Sequence, residues 1–488
     1  MSALTALARL EAVAARRARP LATVRHCHLS ATPLVVIPLR LAGEAGAPLA
    51  VMLGGARDEP VLLAVPQPRN RDLRFAFAAE LGKVLLEYVE ASRGVAEDLG
   101  PSKDGEDRVR YTGAPQLVLP NTGGVAFLRL LGRSTRFRRT EGEHAVEPAV
   151  PALGRWLTWF AERRDRPGSS LTLALTEALR LHWATGQSSV EDANLAALLG
   201  WIDPPDGLDG PAAATIAEDP ARTPPAGPAT DPKFDNDVLA PAIAAFDEGA
   251  DGAGERVREA LRTQLAPTWE LCWRALDLLA ALPEGASVAG RWERDRDAFT
   301  HFHQTFAEGV PQARRDSAVG AARRLHRLER AQESYEAQRA FDDPLVMAEY
   351  RLEGLAFGGT VTEADPERLD ESGKRPKLRP RLRVATEDPL RLEPGATVCD
   401  AARPKVKGKI VEYGAGEVLV ELTGGLGKKL TPEPGTVPEA GARVVFTSVT
   451  EGSFGPARFP EHEETPWTHG GPPAEYVPDA RDAGEAWS

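Results

Sequence analysis

Cysteine is scarce. Cys27, Cys272 and Cys399 are the only three in 488 residues, and they lie far apart. No C-x-x-C spacing occurs, which excludes a thiolate zinc site. So few thiols in so long a chain fit a reducing, cytoplasmic compartment. Long apolar runs are absent as well: no stretch reaches the roughly 18 consecutive apolar residues a membrane-spanning helix needs. The Arg-rich start (Arg9, Arg16, Arg17, Arg19) leads into no apolar run of the signal-peptide kind. Leu4, Leu7 and Leu10 read there as the buried edge of a surface helix. Lysine is the third scarcity. It supplies 10 of the 59 basic residues, and seven of those ten fall between Lys374 and Lys429.

The motifs of catalysis are missing too. There is no G-x-S-x-G elbow. The nearest approach to a phosphate-cradling loop is Gly424-Gly425-Leu426-Gly427-Lys428-Lys429. It lacks the first glycine and the Ser or Thr of that motif, and strand-like sequence surrounds it, so it reads as a hairpin loop tipped with lysines. His301 and His303 are two apart in a helical stretch and point to different sides, so they cannot share an ion. His26 and His28 flank Cys27 without an identifiable third ligand. Asp58 and Glu59 lie among strands, as in a nuclease core, but Val65-Pro66-Gln67 stands where the E-x-K partner belongs. These readings assign no catalytic residue, no metal ligand and no cofactor.

What is present is a long, segmented chain. Its 488 residues call for three or more compact units. The fold class expected is multidomain α+β: a small N-terminal sheet unit, a large helical middle and a small C-terminal β-barrel of SH3-like or OB-like kind. Residues 1–115 form the α+β unit, with strands Leu34–Leu41, Leu49–Leu53 and Val61–Val65 in a small antiparallel sheet and a helix over Leu73–Ala91. Ser92–Arg110 reads as a charged loop. Residues 116–202 read as a helical domain after a short strand candidate at Gln116–Leu119, with one helix starting near Ser169 or Ser170 and running to Gly186. Residues 203–233 hold eight Pro, seven Ala and six acids and read as a disordered linker. Residues 234–350 are helical and include a long helix. From 351 to 460 the apolar period is two, with strands Leu355–Thr362, Arg381–Thr386, Val406–Tyr413, Glu417–Leu422 and Arg443–Val449. Residues 461–488 carry seven acids and one Arg and read as a disordered acidic tail.

Three basic clusters stand out. One follows Asn121-Thr122-Gly123-Gly124, a turn entering a helix, and comprises Arg129, Arg133, Arg136, Arg138 and Arg139. Free amides at such a helix start favour an anion. A second is the helix face Arg323, Arg327 and Arg330. The third lies in the barrel region. Lys374, Arg375, Lys377, Arg379, Arg381 and Arg383 place six bases in ten residues, and Lys405, Lys407 and Lys409 alternate along one predicted strand with Lys428 and Lys429 beyond it. Residues 368–430 hold 14 bases and 9 acids within a chain of net charge −12. Alternating lysines project from one strand face and match the phosphate backbone of a nucleic acid. The function this points to is a non-catalytic accessory or adaptor protein, such as the partner of a nucleic-acid motor, that contacts proteins through its helical body and nucleic acid through its barrel, without a membrane. Two other readings compete: an enzyme of nuclease-like or other hydrolase type with its site in the N-terminal unit, and a scaffold autoinhibited by its acidic tail.

Overall fold

The computed structural model describes residues 2–101, 105, 107–314, 316–373, 375–427, 429–451, 457–461 and 464. Apart from Glu461 and Glu464, the expected acidic tail lies outside these residues. The chain divides into two compact units, one formed mainly by residues 8–329 and the other mainly by residues 330–456.

The first unit is built on a sheet. Strands β1 (Leu34–Arg40), β2 (Pro48–Gly54) and β3 (Val61–Ala64) form an antiparallel meander. The segment Ser92–Arg110, expected as a loop, instead carries a separate hairpin of β4 (Ala96–Pro101) and β5 (Asp107–Tyr111). Two further strands, β6 (Leu117–Leu119) and β7 (Thr172–Ala174), add to β1 in parallel, which gives the order β3-β2-β1-β6-β7. The sheet is therefore mixed rather than antiparallel, and it draws strands from both sides of residue 115. The expected α+β and helical segments share one core.

Alternate side chains of these strands feed two apolar layers. Val35, Ile37, Leu39 and Met52 point into one, Leu34, Val36, Val51 and Leu53 into the other. With both faces covered, β1 reads as a continuous apolar run instead of an alternating one. On the second face lie α2 (Arg71–Ser92), α3 (Thr122–Thr135) and α4 (Ala149–Arg164). Asn70 caps α2 by accepting from the amides of Asp72 and Leu73. On the first face lie α5 (Leu175–His182), α6 (Leu195–Ile202) and the long α9 (Ala253–Ala280). The helix expected from Ser169 begins only at Leu175. Residues 172–174 are the strand that completes the sheet, and the Ser170 hydroxyl accepts from the amide of His28 rather than capping a helix.

The Pro/Ala segment 203–233, expected as a linker without structure, carries regular structure. It contains α7 (Gly210–Glu218), capped by Asp209, with Ala213, Ala214 and Ala217 buried. Farther on, Asn121 donates to the carbonyl of Gly227 (2.9 Å), and the Arg40 amide donates to that of Pro228 (2.9 Å). These contacts run beside β1 where its pairing with β6, confined to Leu34 and Val35, has ended. After it come α8 (Ala240–Asp247), α10 (Val288–Ala307) and α11 (Ala318–Asp342). At the chain start α1 (Ala3–Ala15) buries Ala12, while Leu7 and Leu10 are exposed, the reverse of the edge their spacing implied.

The second unit is a closed antiparallel barrel. Its strands are β8 (Ala356–Asp365), β9 (Arg381–Ala385), β10 (Thr397–Asp400), β11 (Arg403–Gly414), β12 (Glu417–Gly424) and β13 (Arg443–Thr447), in the closed order β8-β9-β12-β11-β10-β13. The five expected strands are all present; β10 is the sixth. Phe357, Leu382, Val384, Val398, Ile410, Val420 and Phe446 fill the interior.

Candidate nucleic-acid interface

Strand β11 fixes the central feature. Val406, Gly408 and Ile410 are buried, whereas Lys405, Lys407 and Lys409 between them are exposed. Period-two alternation on a closed barrel leaves the lysines nowhere to point but outward. Successive lysines on this face are about 6.6 Å apart along the strand.

Register extends the face sideways. Glu421 of β12 lies between Arg381 of β9 and Lys409 of β11. That carboxylate accepts from Arg381 at 3.0 Å and from Arg368 at 2.8 Å, so one anion serves two guanidinium groups before Lys409 is counted. One register step away, Lys407 pairs with Gly424. The half-buried Arg379 donates to the carbonyls of Leu378 (2.9 Å) and Thr423 (3.4 Å). The Thr423 hydroxyl in turn reaches the Lys407 carbonyl (3.4 Å). The Arg379 side of the sheet and the β11 lysines therefore meet through the end of β12. Arg375 and Lys377 are exposed, the latter in a two-residue ladder with Leu369–Asp370. Arg383 lies toward the opposite end and is neutralised by Glu363, Glu417 and Glu412 at 3.5, 3.7 and 3.9 Å. The barrel surface is thus divided into a basic end and an ion-paired end.

The Gly-rich loop after β12 is anchored against this face. Leu426 is buried in the barrel core. Gly425 has a φ of +76°, and a Cβ there would come within 2.2 Å of the Lys405 carbonyl oxygen, so only glycine fits this close approach. Lys429 is exposed on the loop; Lys374 and Lys428 lie outside the described residues.

Of the three aromatic residues between 356 and 447, Phe357 and Phe446 are core, and Tyr413 is 50% exposed near the end of β11. The thiol of Cys399, opposite Lys407, is pushed up to about 11 by burial and by Asp400, which makes it a packed neutral group.

The arginine cluster that follows Asn121 is dispersed. The start of α3 is closed: the Asn121 side chain accepts from the Gly124 amide, and a Cβ on Gly123 would lie 2.9 Å from Pro228. Arg129 is held by both oxygens of Asp165 at 2.8 Å. Arg138 is buried, donates to the Ser134 carbonyl and lies over Phe75. Arg136 lies over Phe137 at 4.5 Å. Arg133 and Arg139 are exposed. The five do not converge on one anion.

No known protein family, curated protein or solved structure matches the chain.

His26 and Cys27 are buried in the first unit, and His28 is half-buried. His26 lies 5.5 Å from His182, ring to ring, and its amide donates to His182 Nε2 (3.1 Å). His28 stacks on Trp292, and burial lowers its basicity. Cys27 between them has its thiol pushed up to about 12 by burial, outside the range of a nucleophile. His303 is buried against Glu90 (2.6 Å), and His301 is exposed, so the two point apart. Among the described residues, no group of three His, Cys, Asp or Glu side chains is placed to hold a metal ion. No described helix is long and apolar enough to cross a membrane.

Proposed function

We propose that this protein is a non-catalytic accessory factor whose barrel binds the phosphate backbone of nucleic acid, while the helical parts of the chain contact a protein partner. The observation that carries the reading is the outward row Lys405, Lys407 and Lys409, flanked by Arg375, Lys377, Arg379 and Lys429, seven bases against the two carboxylates that strand register sets opposite them, Glu421 and Asp370. Ion pairing of Arg383 with three glutamates and sharing of Glu421 by two arginines confine the excess charge to one end of the barrel. A single half-exposed aromatic residue gives little surface for base stacking. The contact is therefore read as backbone recognition, insensitive to sequence. Alternating lysines on a strand address neighbouring phosphates as point charges rather than bidentate forks.

The test is a titration of duplex and single-stranded DNA and RNA of one length at several salt concentrations. Three phosphate contacts give a log–log salt slope of about −2.7 on duplex. The triple change Lys405/Lys407/Lys409→Glu should abolish binding, and each single Lys→Ala should reduce the slope by about 1. Salt-independent binding, or binding unaffected by the triple change, would sink the proposal.

A further inference from the structure

The sheet unit contains a cleft of about 340 Å³ between α6, α7, the segment after α7 and α9. This volume falls within the range of small-molecule sites, roughly 300–1,000 Å³. We propose that it binds a small amphipathic monoanion, an apolar chain or ring bearing one carboxylate.

The walls define the apolar end of the ligand. Leu199 of α6, Ile216 of α7 and Leu271 of α9 line the cleft, with Leu208 at 37% exposure. Small residues keep the space open. A Cβ on Gly200 would lie 2.9 Å from the Cβ of Ala213, so α6 and α7 pack backbone to backbone and leave their longer side chains to form the cleft beside the contact. Pro267 of α9 also lines it and contributes no amide to that wall.

The charges define the polar end. Three arginines and one glutamate line the cleft: Arg57, Arg222, Arg274 and Glu270. Arg57 is matched by Glu270 at 2.9 Å and Asp277 at 3.3 Å. Arg274 is matched by Asp203 at 2.6 Å. Arg222 is exposed and has no ion pair among the described residues. Among the described residues Arg222 is thus the lining arginine that no carboxylate holds, and a single negative charge on the ligand gives it a partner. A dianion would bring a second charge into apolar surroundings without a partner. A guanidinium meets a carboxylate in a two-pronged, charge-assisted contact. Much of this lining comes from 203–233, which has too few long apolar residues to announce a core but enough to wall a cleft.

The full chain is titrated calorimetrically with decanoate, decanol and glutarate. Saturable one-site binding of decanoate is expected, tighter than decanol by about tenfold, the worth of one charge-assisted contact, with no binding of glutarate. Arg222→Gln should bring decanoate down to the level of decanol and leave decanol unchanged. Leu208→Trp, which fills the mouth, should remove both. Both changes are at exposed or half-exposed positions, and circular dichroism checks that the fold is kept. The proposal is overturned by failure of decanoate to saturate, by an unchanged decanoate preference in Arg222→Gln, or by binding that ignores Leu208→Trp.

Discussion

Asp295 is a carboxyl buried against the preference of its charge. It lies on α10, is 4% exposed, and accepts from the Ser170 amide (2.7 Å) and the Ser169 hydroxyl (2.8 Å). Burial raises its pKa to about 6, against the pull of those hydrogen bonds and of Arg163 and Arg166. The unfolded chain holds this carboxyl near 3.9. Between these two values the folded protein binds a proton that the unfolded chain does not, so folding stability from this group rises as pH falls from 7 toward 4. A shift of about two units is worth about 2–3 kcal/mol. Asp295→Asn keeps an acceptor for the Ser170 amide and removes the titration. The free-energy difference between variant and wild type, from urea melts, should move in favour of Asn by about that amount between pH 4 and pH 8. A difference that stays flat across this range would show that the carboxylate is not paying for its burial.

At the scale of elements, two glycines with the same positive φ separate strain from contact. Gly425 and Gly435 both have φ +76°, but a Cβ at Gly435 meets nothing within 4 Å, whereas one at Gly425 meets the Lys405 carbonyl at 2.2 Å. Gly435→Ala should cost about 1 kcal/mol, the left-handed penalty alone. Gly425→Ala adds the clash and should cost about 1–3 kcal/mol more. It should also weaken polyanion binding, because it displaces Lys405 without changing any charge. Equal denaturation midpoints for the two variants would contradict the tight loop-to-strand contact.

The elements also show how far the sequence could be read. The lysine row of β11 was legible because a half-exposed strand writes its orientation as alternation. Strand β10 was not: Thr397-Val398-Cys399-Asp400 is four residues long and lies between Pro394-Gly395 and Pro404, so it offers no period. Strand β7 was hidden in the apolar run Leu171–Leu175, which suits a buried strand or a helix start equally. Helix α7 was hidden because alanine packs on glycine without leaving a hydrophobic pattern, and the eight prolines of 203–233, Pro211 of the helix among them, argued for disorder. The dispersal of Arg129, Arg136 and Arg138 was also invisible, because Asp165, Phe137 and Phe75 are partners supplied by tertiary packing.

At the scale of the whole molecule, the apolar clusters of residues 8–329 and those of residues 330–456 have no member in common. Trp156 is 1% exposed and packs against Trp159, Phe160 and Phe299 in one. Phe357 is fully buried against Phe446 in the other. Calorimetry should therefore resolve two transitions, and each aromatic-to-alanine change, worth about 3–5 kcal/mol, should lower one of them. The same two transitions sort the ligands. A species that binds only the folded form at about 100 times its Kd adds about 2.7 kcal/mol to the unit that holds it. Nucleic acid should raise only the transition that Phe357→Ala lowers, and decanoate only the one that Trp156→Ala lowers. If either ligand raises the other transition, its site has been placed in the wrong unit. A single transition moved by both substitutions would mean that the two cores unfold as one cooperative body, despite sharing no residue.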